Sequence, residues 1–559
     1  MTTAIPAVTQ SGQQVLILRE GSTKSTGREA QKNNIAAAKL VAELVRSCLG
    51  PRGMDKMLVD TLGDITITDD GATILKELDV NHPAAKAIIE ISKVTDSEVG
   101  DGTTSAVVLA GALLERAEEL LDKGVHPMII VDGYKKAEAK AKEILNSVAI
   151  KVDAKDKDWL TKVAKTSIAT KMISLEGDYM ASLAVESLLS VVEEYDGKIR
   201  VDIDNVKVEK KAGGSTRDTQ LIHGIALDKE VVHSGMPKSI SEAKIALINS
   251  PLEIEKTEYD TKITINNPEQ IKMFLDEENM ILKNMVNNVI KTGANVLICQ
   301  KGIDDVAQQY LAKAGILSVR RVSESDMNRL AKATGGKVVT IIEQINSSDL
   351  GNAKHIEERK IEDGKWVFVE GCKDPKAVTL FLRGGTQRVV EESVRSIHDA
   401  LCVVRDVMLK PSIVLGAGAP EAEIASKLFD YAQTLSGREQ LAVRIFAEAL
   451  ESITITLAEN AGLDPINILS ELRSRHEKGE TWAGIEVNQG TVQDMTKAGV
   501  FEPLAVKKQI IKSANEAASM ILKIDDVIAS GKSRAPPMPP GGMGGGMGGM
   551  GGYPGAGEY

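Results

Sequence analysis

Aromatic residues are scarce: Phe, Tyr and Trp together fill only 3% of 559 positions. A core with so few rings must be built from Ala, Val, Ile, Leu and Met. Cysteine is nearly absent. Cys48, Cys299, Cys372 and Cys402 are scattered and form no CxxC pair, which argues against a zinc ribbon or a disulfide scaffold and leaves buried structural thiols. An excess of positive charge is also lacking, with 68 basic against 79 acidic residues and a net charge of -11. A basic nucleic-acid face is therefore not expected. No apolar run reaches membrane-spanning length, and Met1 to Leu18 does not read as a signal peptide; the expectation is a cytoplasmic protein without a membrane partner. The chain contains no G-x-x-x-x-G-K-[ST], which sets aside a P-loop NTPase, and its glycine-rich pieces do not fit a dinucleotide-binding fingerprint.

What is present is soluble and globular, at 43% hydrophobic and 26% charged residues. The length exceeds what one core can serve, so roughly three or four domains are expected. Residues 1 to 20 read as extended. Helical spacing then runs from Gly27 to Leu49 and stops at Gly50-Pro51-Arg52-Gly53. Met57–Asp60 and Ile65–Thr68 read as a short hairpin, followed by helices from near Ala72, at 84–96 and at 102–122. From about 155 to 222, alternating strands are expected at Ile199 to Val208 and Thr219 to Leu227. From 223 to 375 the pattern alternates β and α, with short apolar strands at Ile245–Ile248 and Val296–Cys299 and an Asn267-Pro268 helix start between them. Long helices return after Gly384-Gly385. The tail beyond Lys532 is too rich in Gly and Pro to repay its ordering entropy and is expected to be disordered. Helical material at both ends with α/β material between suggests one domain built from both termini and others inserted into it.

The most informative stretch is Gly100-Asp101-Gly102-Thr103-Thr104-Ser105, which runs into an apolar helix. The unpaired N–H groups of a helix start and the helix dipole favour a phosphate. Asp101 can offer the hard oxygen that Mg²⁺ prefers. Read alone, Asp101 is more readily a helix cap. Asp69-Asp70-Gly71-Ala72-Thr73 also reads as a capped helix start, and Leu49-Gly50-Pro51-Arg52-Gly53 as a helix stop and turn. Asp202-Ile203-Asp204 superficially resembles a paired-aspartate nucleophile but falls in a polar alternating strand. Asp399 falls away from the apolar stripe of Ile397, Leu401, Val404 and Met408, on the side of Glu392, Arg395 and Asp406. By pattern that is a solvated face, with His398 an ordinary surface or interface histidine.

Together these pieces form an ordered set. Leu49-Gly50-Pro51-Arg52-Gly53-Met54-Asp55-Lys56, Thr68-Asp69-Asp70-Gly71-Ala72-Thr73 and Gly100-Asp101-Gly102-Thr103-Thr104-Ser105 come first. His233-Ser234-Gly235-Met236-Pro237, Ile397-His398-Asp399-Ala400-Leu401, Gly416-Ala417-Gly418-Ala419-Pro420-Glu421 and Glu502-Pro503-Leu504 follow. Over about residues 12–530 the chain strongly resembles the group II chaperonins, the TCP-1 family that includes archaeal thermosome subunits.

The resemblance implies a multidomain α and α/β subunit. Its discontinuous helical equatorial domain would occupy 1–154 and 412–532, and a small intermediate α/β domain 155–222 and 376–411. An apical α/β domain would span 223–375 with a helical lid protrusion at about 253–279, leaving a Gly/Met-rich tail at 533–559. It further implies an ATPase that uses ATP/ADP and Mg²⁺, in two stacked rings of identical or paralogous subunits, folding unfolded protein clients with prefoldin as a candidate deliverer. By the same resemblance Asp101 is the Mg²⁺ ligand, Gly102, Thr103, Thr104 and Ser105 cradle phosphate, and Leu49, Gly50 and Pro51 lie along the nucleotide. Asp70 and Asp399 are the catalytic carboxylates and Lys171 senses the γ-phosphate. Gly416 and Gly418 turn against the base, Glu502 meets the ribose, and Gly484 and Lys507 reach the nucleotide. Three departures stand out: Asp69 where Asn is frequent, Ala417 within what is usually a triple glycine, and Met172 to Glu176 after Lys171. A nucleotide-binding holdase and a monomeric metal-dependent phosphohydrolase are the alternatives from other classes.

Overall fold

The computed structural model describes residues 6–8, 14–16, 23–171, 176–254, 268–373 and 375–529. The expected disordered tail, most of the segment after Lys171 and the 255–267 part of the expected lid lie outside the described residues. Two compact units are present. The smaller gathers both chain ends: Pro6–Val8 pairs antiparallel with Gln14–Leu16, and Thr23–Thr26 with Asp526–Ala529. The larger, residues 32–523, holds everything discussed below.

The larger unit has two principal hydrophobic cores. One draws on residues from 35 to 206 and again from 378 to 522; the other lies between, from 225 to 377. The first is a stack of long helices, among them Thr103–Asp122, Pro127–Val148, Arg438–Asn460 and Leu504–Leu522. With few rings available, its helices meet through small residues. A side chain on Gly111 would come within 2.4 Å of Ala42 Cβ, and one on Gly133 within 2.3 Å of Ala442 Cβ. The exception is Tyr134, fully buried edge-on to Phe446 with its hydroxyl donating to Leu113 O at 2.7 Å.

The second core backs a seven-stranded mixed sheet. Ser239–Ile248, Val296–Cys299 and Leu317–Val319 run parallel, and the last four residues of the first and all of the other two are buried. Helices cover both faces of such strands, so they read as continuous apolar runs. The helix Pro268–Lys291 buries Leu282, Val286 and Val289 in its later half, while Ile271, Met273, Phe274 and Leu275 are exposed. All four cysteines are unpaired and buried, and burial pushes the thiols of Cys48, Cys299 and Cys372 up to about 11.

Two expected strands are divided. Ile199 to Val208 is not one strand. Lys198–Arg200 pairs with Glu193–Tyr195, a 3-10 turn follows at Ile203–Asn205, and Val206–Ala212 joins a three-stranded sheet. The Asp202 carboxylate accepts from the Asp204 N–H at 3.0 Å, so it caps the turn that breaks the strand. Asp202 is an exposed cap and Asp204 an exposed residue within the turn it caps, not a catalytic pair. Thr219 to Leu227 is also split. Gln220–Ile222 pairs with Val378–Gly384, whereas Gly224–Leu227 pairs with Gly364–Glu370 of the larger sheet. Gly224 makes the switch at φ 149°, where a Cβ would meet Val369 O at 1.9 Å. Beside this crossing three of the rare rings gather, with Trp366 and Phe368 each packed edge-on to Phe381.

Close helix approach generates a direct test. Gly133→Val is expected to destabilise the chain by about 1–3 kcal/mol through overpacking. Gly385→Ala, with nothing within 4 Å of its added carbon, is expected to stay within about 0.5 kcal/mol of the parent. Thermal unfolding of the two variants side by side measures this; equal midpoints would contradict it.

Candidate functional site

A cavity of about 640 Å³ opens in the larger unit. Its floor is the start of the Thr103–Asp122 helix. Gly100 ends the preceding helix, Pro83–Val99, at φ 69°, and Gly102 begins the next at φ 76°. Two left-handed residues two apart turn the chain sharply and leave Asp101 at the apex, its Oδ1 accepting from the Gly102 N–H at 2.6 Å. Gly102 supplies no side-chain cap. The first N–H groups of the helix, at Thr103, Thr104 and Ser105, therefore meet the cavity at the positive end of the helix dipole.

Asp70 stands beside this floor. It caps Gly71–Glu77, accepting from Thr73 N at 2.9 Å and Thr73 Oγ1 at 2.6 Å, with Thr103 Oγ1 at 3.4 Å. Burial alone would raise its pKa. The Lys171 ammonium and the Thr73 hydrogen bonds outweigh burial and hold it below the usual carboxylate value. Gly71 permits the approach of the two helix starts, since a side chain there would meet Thr104 Oγ1 at 2.5 Å.

Lys171 is the centre of charge. Its Nζ lies 3.4 Å from Asp399 Oδ2 and 3.5 Å from Asp69 Oδ1, and all three side chains are largely buried. Burial would lower the lysine's pKa, but Asp399, Asp69, Asp70 and Asp101 reverse that and hold it firmly protonated. Burial raises Asp399 to about 7 and Asp69 to about 6, in each case against the pull of Lys171. The solvated-face expectation for Asp399 is thus corrected. Asp399 is only 8% exposed, and Glu392 and Asp406 on the same side are 3% and 7% exposed. The Gln387–Leu409 helix packs against Lys157–Ile168 and Gly177–Val191, and on its polar side Asp399 lines the cavity while Arg395 donates to the Ile67 carbonyl.

The upper wall comes from the chain ends of the helical core. Asn460 Nδ2 donates to Arg46 O and Leu49 O at 3.1 and 2.8 Å, fixing the loop that presents Leu49, Gly50 and Pro51. Gly50 takes φ 85° with Leu457 Cδ2 2.4 Å from where a Cβ would sit. Opposite, Gly418 starts Ala419–Thr434 at φ 80°, and Glu502 and Lys507 close the side. Gly416 and Gly484 do not line the cavity. They sit directly behind it, Gly416 against Glu502 Oε1 and Gly484 against the Ala417 carbonyl. Ala417 itself adopts φ 56°, a left-handed conformation that is unusual for a residue with a Cβ.

Sequence reasoning did not single out Ile453, Leu457, Ile485 and Val487, which form the apolar part of the lining, or Lys165 and Thr166 from the Lys157–Ile168 helix. The Gly484-Ile485 hairpin carried the one available signal, a glycine just before an apolar wall residue. Among the described residues no cluster of three His, Cys, Asp or Glu is arranged to hold a metal. A single carboxylate beside uncapped N–H groups nonetheless suits Mg²⁺, which takes one or two carboxylates and completes its shell with phosphate oxygens and water. No helix among the described residues is long and apolar enough to cross a membrane.

The Asp69 carboxyl gives a test with a definite sign. A carboxyl raised from 3.8 to about 6 in the folded chain supports folding below the lower value and loses that support as pH climbs through the higher one. Asp69→Asn removes the effect. Its unfolding midpoint relative to the parent is expected to be higher at pH 7.5 than at pH 4.5, and a pH-independent difference would contradict the burial of that charge.

Residues 41–532 match the model of the TCP-1/cpn60 chaperonin family. The chain is 57% identical over 522 residues to thermosome subunit beta of Archaeoglobus fulgidus, covering 93% of this chain and 96% of that one. It is 56% identical over 523 residues to a thermosome subunit of Pyrococcus horikoshii, covering 93% and 95%, and 54% identical over 519 residues to one of Methanopyrus kandleri, again covering 93% and 95%. A helical core assembled from both halves of the chain, a sheet-backed core inserted between them and matches of this extent lead to one conclusion: the chain belongs to the TCP-1/cpn60 chaperonin family.

Proposed function

We propose that the protein is an ATP-dependent molecular chaperone that hydrolyses Mg-ATP and works as a double ring closing its own lid over unfolded clients. The observation that carries this is the convergence of Asp70, Asp399 and Lys171 on an uncapped helix start inside one cavity. Phosphoryl transfer to water asks chiefly for positioning, charge neutralisation and an oriented nucleophile. The N–H groups of Thr103, Thr104 and Ser105 cradle the phosphates, and Asp101 holds Mg²⁺, which when bound neutralises phosphate charge. Asp70, fixed by its cap bonds, orients the attacking water. Asp399, pushed up by burial to about 7, accepts the proton. Lys171 reads the γ-phosphate: its ammonium is shared between two carboxylates and can be drawn off by a stronger anion. Gly418 and the Ile485 wall hold the base and Glu502 the ribose.

The equatorial, intermediate and apical division at 1–154 with 412–532, 155–222 with 376–411, and 223–375 belongs to the same proposal. So do a lid near 253–279, partner subunits identical or paralogous to this one, prefoldin as a deliverer of clients and a cytoplasmic location. Asp399 arrives on a helix remote in sequence from Asp70 and Asp101, so movement of that helix couples hydrolysis to closure.

Ring-sized protein is expected to hydrolyse ATP only with Mg²⁺, and Asp399→Ala to lose about 10²–10⁴-fold in turnover while still assembling. No hydrolysis by well-formed parent rings would favour a holdase. A particle of monomer mass, 59.9 kDa, with hydrolysis intact would favour a simple phosphohydrolase. Because the base must be ionised, parent turnover is expected to fall as pH drops below about 7; an acid limb near pH 4 would remove Asp399 from the role.

A further inference from the structure

Glu502 reaches the cavity from the strand Phe501–Pro503, paired with Val414 of Ser412–Leu415. Its carboxylate is held from two sides. Gly416 leaves it room, since a side chain there would meet Oε1 at 2.4 Å. From the other side Lys507, early in the Leu504–Leu522 helix, sets Nζ 2.9 Å from Oε2. The same Nζ lies 2.8 Å from Oε1 of Glu421, in the first turn of Ala419–Thr434. Lys507 and Glu421 are almost wholly buried, and Glu421 Oε2 has no hydrogen-bond partner. One ammonium thus serves two carboxylates, of which only Glu502 is partly open.

The charges decide what this arrangement does. Two buried carboxylates so close cannot both stay ionised without a cation between them. Burial, and the charge of Glu421, push Glu502 upward, while Lys507 opposes both. Without Lys507, protonation of Glu502 is the cheapest relief, and it would turn an acceptor of two hydroxyl protons into a donor. Glu421 also ties the ammonium down from the other side.

We propose that Lys507 is a positioning residue that acts through Glu502, keeping that carboxylate ionised and aimed so that it accepts both vicinal hydroxyls of a ribose. Selection of ribonucleotides over nucleotides without those hydroxyls then depends on the buried Glu421–Lys507 pair. This rests on the proposed function, in which a nucleotide occupies the cavity with its ribose at Glu502. It differs from a direct contact between Lys507 and the nucleotide, which the family resemblance suggested.

Calorimetric titration of the assembled full-length protein with Mg-ATP and with Mg-2′,3′-dideoxy-ATP tests it. The parent is expected to prefer ATP by about tenfold or more, the size of a lost hydrogen bond to a charged group. Lys507→Met should erase the preference by weakening ATP alone, Lys507→Arg should restore it, and adding Glu502→Gln to Lys507→Met should cost nothing more. Equal weakening of both nucleotides in Lys507→Met would overturn the proposal in favour of a direct contact. A parent that binds both nucleotides equally would overturn it while leaving the nucleotide site standing; a parent that binds neither would remove both. Should Lys507→Met fail to fold, Glu421→Gln with Lys507→Gln removes one charge of each sign and leaves only the partly open Glu502 without its cation, and the same comparison is read on that variant.

Discussion

A single buried ammonium holds the site together. Lys171 lies between Asp69 and Asp399, with Asp70 and Asp101 close enough to reinforce its charge. Four carboxylates could not share so enclosed a space without a cation, and one lysine does not neutralise them. Burial raises the values of Asp69 and Asp399, and the neighbouring carboxylates add to the rise. In the proposed function a divalent cation would offset the excess negative charge, and because the same excess would repel bare phosphate, the uncapped helix start and the cation would act together. The second buried lysine, Lys507, repeats the arrangement on the opposite wall with two carboxylates.

The parts of this site that were readable in the sequence are those built locally. Gly100 to Ser105 and Asp69 to Thr73 are contiguous, and their turn glycines and capping residues announce helix starts whatever surrounds them. Asp399 was not readable by pattern, because helical periodicity separates apolar from polar faces and cannot tell bulk water from a polar cavity. Only the matching motif around it pointed to a site. The split of Ile199 to Val208 was missed for a related reason: alternation continues through a turn when the turn's own aspartate satisfies the backbone. Gly416 and Gly484 illustrate a third case. Their signal was real, but it reports the space that their neighbours need.

The scarcity of aromatic residues shapes the rest of the molecule. Helices that meet at Gly111, Ala42, Gly133 and Ala442 approach closely, and close approach of rigid rods transmits displacement well. Several of the few rings sit at packing joints: Tyr134 and Phe446 inside the helical core, Trp159 against Phe501 of the cavity wall, and Trp366, Phe368 and Phe381 where the chain crosses between the two sheets.

The bond from Asn460 to Leu49 spans 411 residues, and it sets an order of events during synthesis. The loop at 46–53 leaves the ribosome early and has no anchor until the Arg438–Asn460 helix emerges. The inserted sheet-backed core, residues 225–377, is complete in sequence well before that, so it can fold as a unit while the helical core around it is still half made. The cavity closes later still, since its lining residues Glu502 and Lys507 follow the Arg438–Asn460 helix in the chain. A nascent chain therefore carries a finished insert on an unfinished base, and only a fully synthesised subunit can possess the site.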